Sequence, residues 1–164
     1  MIGTKFNKPL ETKEQLDKYS AAAEWCNNNN ATIKDKGEYY EVVEIPGPTL
    51  EEAKATKIES FKSTRNTKEL EPILYNGVLF DADKDSLDRL NYAIITLTAT
   101  HTESIQWTTA ENTDVPMTVN DLNLVIASVG NRSNQLHIIY RDLKEHVNAC
   151  TTVEEVEAIT WPED

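Results

Sequence analysis

The sequence predicts a mainly helical α+β fold in which the strands pair as short antiparallel hairpins. Long segments with an apolar residue at every third or fourth position indicate amphipathic helices. Short apolar segments flank the dipeptide Asn76-Gly77, the strongest local signal for a two-residue hairpin turn. The chain lacks the repeated strand-helix-strand units that parallel pairing requires, so we expect no parallel sheet.

The chain has 164 residues, a length typical of one domain or of one domain with a small appendage. It contains 16 Lys plus Arg against 28 Asp plus Glu, so its formal net charge is −12. This surplus repels phosphate backbones and anionic lipids, which predicts no nucleic-acid and no membrane partner. No run approaches the roughly 18 apolar residues of a membrane span, and the first residues lack the apolar core of a signal peptide. We expect a soluble protein whose two cysteines stay reduced.

Residues 1–45 are expected to form a small helix-plus-hairpin module. A helix is predicted over residues 12–26 with one apolar face, and the asparagines at 27–30 favour the end of this helix. Extended segments around a turn at 34–37 complete the module. Pro46-Gly47-Pro48 follows as a linker (46–48), because proline restricts its own backbone and biases the preceding residue away from helix.

The domain expected after the linker, residues 49–161, opens with a helix. Thr49 and Glu52 have the spacing of a capping box, and the helix is predicted to run to near Glu69. Its apolar stripe is too narrow for burial on all sides, so we expect a partner protein or a second copy to cover part of it. The candidate interface residues are Leu50, Ile58 and Phe61 on this stripe, together with Trp25 of the N-terminal helix.

Two hairpins and three further helices complete the predicted domain. The longest helix has an apolar stripe that drifts close to a 3.5-residue repeat, which indicates a seam for helix packing. In chain order we expect a hairpin over 73–80, a helix over 87–97, a hairpin over 104–118, a helix of about thirty residues from Thr118, a short helix from Thr152 to Ala158, and a tail at 162–164.

Two residue sets are candidate metal ligands. Asp81, Asp83 and Asp85 alternate as in the opening of a calcium loop, but Ser86 stands where the sharp turn requires glycine and Tyr92 where the loop requires a bidentate glutamate. Capping of the following helix is the favoured interpretation of the aspartates. The second set, Asp142, His146 and Cys150, shares one helical face, which does not surround a tetrahedral ion.

No catalytic motif is recognisable in the sequence. With five glycines, no phosphate loop, nucleophile elbow or dinucleotide fingerprint can be assembled. The tryptophans Trp25, Trp107 and Trp161 could offer flat surfaces to a sugar or a partner, although anchoring in the core is the favoured interpretation. We therefore predict that the protein is not an enzyme and needs no cofactor and no metal.

Three segments of the sequence form a recognisable set: residues 79–86, the Trp107 to Asn112 segment, and the segment from Thr151 to Trp161. In their order and spacing they resemble DUF4376, a domain of unknown function found in tailed-phage proteins. The matching positions are Gly77, Phe80, Asp81, Asp83, Ser86, Arg89, Leu90, Trp107, Asn112, Glu154 and Trp161. The resemblance covers about Thr49 to Trp161, and the family carries no established catalytic residues to transfer.

Two positions depart from the family pattern, and a second resemblance is less specific. Ala82 stands where the family commonly has threonine, and Glu111 where it commonly has aspartate. Both changes are compatible with the expected hairpins. The stretch from Tyr19 to Val43 also resembles a module that precedes this domain in phage tail-fibre and tail-fibre-assembly proteins.

The resemblance implies a phage protein that acts through protein contacts. We expect a virion structural component of the tail, tail fibre or baseplate, made in the cytoplasm of the host bacterium, with tail-fibre or baseplate proteins as partners. Self-association is also expected, and a trimer would match the symmetry of a fibre. The alternatives are a tail-fibre assembly chaperone that is not retained in the virion and, third, a glycan-binding module or hydrolase.

Overall fold

The computed structural model describes residues 1–163 of the chain. The chain divides into two compact units between Pro48 and Thr49. This point lies at the end of the proline-rich segment 46–48. Of the predicted tail 162–164, Asp164 lies outside the described residues.

The N-terminal unit contains one helix and a three-stranded antiparallel sheet. Its helix begins at a capping box in which Thr12 and Gln15 satisfy each other's backbone N–H groups. Within the sheet the strand order is β1-β3-β2, and Phe6 of β1 pairs with Tyr40 of β3. The elements are β1 (Lys5–Asn7), α1 (Lys13–Asn27), β2 (Ala31–Asp35) and β3 (Tyr39–Glu44).

The core of the N-terminal unit is made of small side chains. Its buried residues are Ala22 and Cys26 of α1, Ala31 of β2 and Val42 of β3. Larger side chains, among them Trp25, are only partly buried against this cluster. The candidate interface residue Trp25 therefore contributes to packing inside its own unit.

The C-terminal unit contains four helices and two hairpins. Three of its helices begin at capping boxes, formed by Thr49 with Glu52, Thr118 with Asp121, and Thr152 with Glu155. The elements are α2 (Leu50–Leu70), β4 (Ile73–Tyr75), β5 (Val78–Phe80), α3 (Lys84–Thr100), β6 (Ile105–Thr108), β7 (Asp114–Met117), α4 (Val119–Ala149) and α5 (Val153–Ala158). The predicted α+β fold, mainly helical with antiparallel strand pairs, is confirmed.

One core cluster of the C-terminal unit joins α3, the two hairpins and the first part of α4. Phe80, Leu90 and Leu122 are buried at its centre, and Trp107 packs against it from β6. This cluster fixes the two hairpins beside the N-terminal end of α4.

The second core cluster joins α2, the last part of α4 and α5. Phe61 is buried in it, Leu50 and Ile58 are partly buried against it, and the ring of Trp161 lies 6.2 Å from that of Phe61, centroid to centroid. The expectation that a partner protein covers the stripe of α2 is therefore corrected. Helices α4 and α5 of the same chain cover it, because α2 packs on segments that follow much later in the sequence.

Within residues 1–163, no helix is both long enough and apolar enough to cross a membrane.

Candidate functional site

The three aspartates of the candidate calcium ligand set do not act together. Asp83 is the N-cap of α3: its carboxylate accepts hydrogen bonds from the Ser86 N–H (3.0 Å) and the Ser86 hydroxyl (2.7 Å). The bond from the Ser86 hydroxyl is the main reason that the pKa of Asp83 lies below its usual value. Asp81 and Asp85 are exposed. In the described part of the chain, no group of three or more His, Cys, Asp or Glu side chains could hold a metal ion.

The other candidate ligand set lies along the last turns of α4. Cys150 is partly buried and its thiol lies 3.3 Å from the backbone oxygen of His146, one turn earlier. Asp142 and His146 are exposed. These contacts are those of a helix end that packs against the second core cluster.

A polar cluster holds the C-terminal end of α2 against α4. The Arg132 guanidinium donates to the backbone oxygens of Glu69 (2.8 Å) and Pro72 (3.2 Å), which otherwise lack helical partners. The Glu69 carboxylate accepts from the Ser133 hydroxyl at 3.1 Å and lies 3.4 Å from His137 Nε2. Sequence reasoning missed this cluster, because its members lie some sixty residues apart in the chain.

A pocket of about 270 Å³ lies between the two hairpins at the N-terminal end of α4. We call it the hairpin pocket. Its apolar walls include Tyr75, Phe80, Val115 and Met117, and Asp121 adds a carboxylate. The rings of Tyr75 and Phe80 meet edge to face, with centroids 6.3 Å apart. The pocket therefore combines an aromatic wall with one acidic group.

Hydrogen bonds from uncharged groups fix the Asp121 carboxylate. One oxygen accepts from the Thr118 hydroxyl (2.6 Å) and N–H (3.0 Å), and the other accepts from the Tyr75 hydroxyl at 2.8 Å. These bonds, the Thr118 hydroxyl first, lower the pKa of Asp121, so its charged form is favoured. The same carboxylate raises the pKa of Tyr75. None of these contacts neutralises the charge of Asp121.

Sequence reasoning found only half of this arrangement. The spacing of Thr118 and Asp121 predicts the capping box, whereas no local pattern links Tyr75 to Asp121, 46 residues away. The two side chains meet because the first hairpin packs against the start of α4.

The outward face of α3 carries two large apolar side chains. Tyr92 is 68% exposed and Ile95 is 63% exposed. They lie opposite the buried stripe of the same helix, which contains Leu90 and Leu97. The described chain therefore leaves two large apolar side chains of α3 uncovered.

The sequence comparison covers most of the C-terminal unit. Residues 52–160 match the family described as Domain of unknown function (DUF4376), a span of about two thirds of the chain. The chain belongs to this family. Neither a curated protein nor a solved structure matches it.

The DUF4376 positions identified in the sequence mostly serve the fold. Phe80 and Leu90 fill the first core cluster, and Asp83 caps α3. The side chain of Ser86 is buried, and its hydroxyl accepts a hydrogen bond from Arg89 at 2.8 Å. The motif around residues 77–90 is therefore a strand-to-helix junction that is held by hydrogen bonds among Asp83, Ser86 and Arg89. Its side chains are engaged with one another.

The turn of the second hairpin uses the other part of the DUF4376 motif. Asn112 adopts a left-handed conformation with φ of 57°, which asparagine tolerates better than most residues. The buried Thr109 bonds to Thr113 across this turn, and the Ala110 N–H donates to the backbone oxygen of Leu79 at 3.0 Å. The motif residues thus hold the two hairpins beside each other, which shapes the hairpin pocket.

Proposed function

We propose that this chain is a structural protein of a phage virion, in the tail, tail fibre or baseplate, and that it works by docking to other proteins. Membership of DUF4376 supports this proposal through the resemblance to tailed-phage proteins described above. Tail-fibre or baseplate proteins are the proposed partners. The protein is made in the host cytoplasm and becomes part of the particle.

The observation that carries the docking proposal is the outward face of α3. Exposed apolar residues are common when they are single, and contiguous ones are more often contact sites. Tyr92 and Ile95 are three residues apart on one helix and therefore neighbours on its surface. Each leaves about two thirds of its surface in solvent. Their burial by a partner would remove apolar area from water, the main driving force of association.

The acidic surface favours selective association. The 28 acidic residues repel other acidic proteins at long range, so apolar contact with another protein requires a complementary surface. We propose no catalysis, no cofactor and no metal for this protein.

Mass spectrometry of purified virions tests the proposal. We expect the chain at a fixed copy number relative to the tail proteins of the phage that encodes it. Its presence in infected lysate but not in washed virions would replace this proposal with the assembly chaperone. If the chain is found neither with the tail proteins nor with their assembly intermediates, the structural role and the chaperone role are both rejected.

Self-association is part of the proposal and has its own test. We expect light scattering on the purified full chain to show an oligomer, with a trimer as the state that matches a fibre. Replacing Tyr92 and Ile95 by serine should shift the oligomer towards monomer if copies meet through α3. If the unmodified chain is a monomer at high concentration, the proposal of self-association is rejected.

A further inference from the structure

The size of the hairpin pocket suits a single side chain. Its volume of about 270 Å³ falls below the roughly 300–1,000 Å³ of pockets that enclose a drug-sized ligand. The walls are formed by Tyr75, Phe80, Val115 and Met117, of which Phe80 and Met117 are almost fully buried. A ligand that fits must therefore be narrow and must offer both apolar and polar surface.

The acidic group of the pocket selects a cation. Asp121 is bonded by Tyr75 and Thr118, both through uncharged donors, so its negative charge is unneutralised by those contacts. Those hydrogen bonds favour the ionised form, so the carboxylate presents a negative charge to the pocket.

The remaining hydrogen-bonding capacity of Asp121 favours an ammonium over a guanidinium group. A carboxylate offers about four acceptor positions, and three are taken by the Thr118 hydroxyl, the Thr118 N–H and the Tyr75 hydroxyl. One position is left, which suits a single donor. A guanidinium binds a carboxylate best through two parallel bonds, and this site does not offer two.

The surrounding charge favours the same ligand. Residues 72–131, which form the hairpins, α3 and the start of α4, contain eight acidic and two basic residues, a net charge of 2 − 8 = −6. One of the two basic residues, Lys84, is already paired with Asp88. An acidic surface of this kind raises the rate at which basic partners arrive.

We propose that the hairpin pocket is a binding site for the side chain of a lysine on a protein partner, with its alkyl stem against the aromatic wall and its ammonium on Asp121. That the lysine belongs to a partner protein rests on the docking function proposed above. The pocket and the α3 face then lie in one unit, where a single partner can supply both a cation and apolar contacts.

The test is an NMR titration of the full chain with blocked single amino acids. The probes are the Nα-acetyl, C-terminal N-methylamide forms of lysine, arginine and norleucine, which share the backbone and differ in the end of the side chain. We expect the lysine probe to shift the amide signals of Asn76, Val78 and Asp121. It should bind at least tenfold more tightly than the norleucine probe and more tightly than the arginine probe, and added salt should weaken it.

Two variants test whether the Asp121 carboxylate causes the preference for the lysine probe. Asp121→Asn retains an acceptor for the Thr118 N–H but loses the negative charge, so it should lose the preference for lysine over norleucine. Asp85→Asn removes one charge from the same unit at an exposed position outside the pocket and should retain that preference. If Asp121→Asn does not fold, the three probes on the unmodified chain decide the question.

Equal affinity for lysine and norleucine probes, shifts outside the pocket, or no binding at all would overturn the proposal. Tighter binding of the arginine probe would overturn the assignment to an ammonium. These outcomes are independent of virion composition. A chain absent from virions whose pocket still prefers the lysine probe would reject the structural role and leave the pocket standing.

Discussion

The two units of the chain use similar elements but differ in the size of what they bury. The N-terminal unit has a core of four small or medium side chains, with Val42 at its centre. The C-terminal unit buries Phe61, Phe80 and several leucines in two clusters. Because hydrophobic stabilisation grows with buried apolar area, the C-terminal unit should be the more stable one.

The units also differ in charge. Residues 1–48 contain six basic and eight acidic residues, a net charge of 6 − 8 = −2, and residues 49–164 contain ten and twenty, a net charge of 10 − 20 = −10. The family match lies within the second range. Most of the acidic surplus therefore belongs to the DUF4376 unit, so charge and core size both distinguish the family domain from the segment that precedes it.

The largest expected effect is in the C-terminal core. Phe80→Ala should lower the free energy of unfolding of this unit by about 3–5 kcal/mol, because it leaves a cavity among α3, α4 and the hairpins. Residue-resolved NMR during urea unfolding measures it. The neighbouring Leu79→Ala, at a partly exposed position of the same strand, is the control and should cost less. An equal loss in the signals of the N-terminal unit would contradict separate cores.

In the N-terminal unit, a smaller loss of unfolding free energy should be a larger fraction of the total stability. Val42→Ala removes buried methyl groups and should cost about 2 kcal/mol. At roughly 0.05–0.15 kcal/mol per residue, a unit of this size has only a few kcal/mol of stability. The same NMR experiment should show early unfolding of residues in β2 and β3. Val43→Ala, which is partly exposed, should have little effect; a similar loss for both variants would argue against Val42 as the centre of this core.

Acid should weaken the C-terminal unit more than the N-terminal unit. The pKa values of Glu52, Asp83, Asp121 and Glu155 are lowered by hydrogen bonds at helix N-termini. A carboxylate with a lowered pKa in the folded state stabilises the fold above its usual pKa, and this stabilisation is lost as pH falls through the lowered value. The loss should therefore begin near pH 4.5 and continue below 3.8, the usual pKa values of Glu and Asp.

Melting curves between pH 6 and 2.5, followed by signals from each unit, measure this difference. In the N-terminal unit the pKa values of Glu14 and Asp35 are lowered, and each of these carboxylates is bonded to a lysine. Parallel acid dependence in the two units would show that the helix caps are not the cause.

The smallest expected effect concerns the aspartate motif. Asp81→Asn and Asp85→Asn should leave the melting temperature unchanged within error, since both side chains are exposed. A chelator should also have no effect. Asp83→Ala is the positive control and should lower the melting temperature, because alanine does not accept the bonds from Ser86. Bound calcium and a large loss on chelation would show that the aspartates form a metal site.

The sequence predicts the elements of the fold well where the signal is local. The capping box at Thr118 and Asp121 marks the start of α4, and Asn76-Gly77 marks the first hairpin turn. Each signal depends on residues a few positions apart, so no knowledge of the tertiary structure is needed. The same holds for Asp83, whose capping role was the favoured interpretation.

Long-range pairing could not be predicted in this way. β1 contains only Lys5–Asn7, and its strand conformation depends on β3, more than thirty residues later. The stripe of α2 gave the position of Phe61 on a helical face but not the identity of the helices that cover it. The hairpin pocket likewise depends on the meeting of Tyr75 with Asp121.

We propose that docking resides in the DUF4376 unit. It is tested most directly by counting the copies of full-length variants in purified virions by quantitative mass spectrometry. Tyr92→Ser with Ile95→Ser changes the outward face of α3, and Leu16→Ser with Ile45→Ser changes two exposed apolar positions of the N-terminal unit. We predict at least a tenfold loss of incorporated copies for the α3 pair and normal incorporation for the other pair. Normal incorporation of the α3 pair, with loss of the N-terminal pair, would contradict the account.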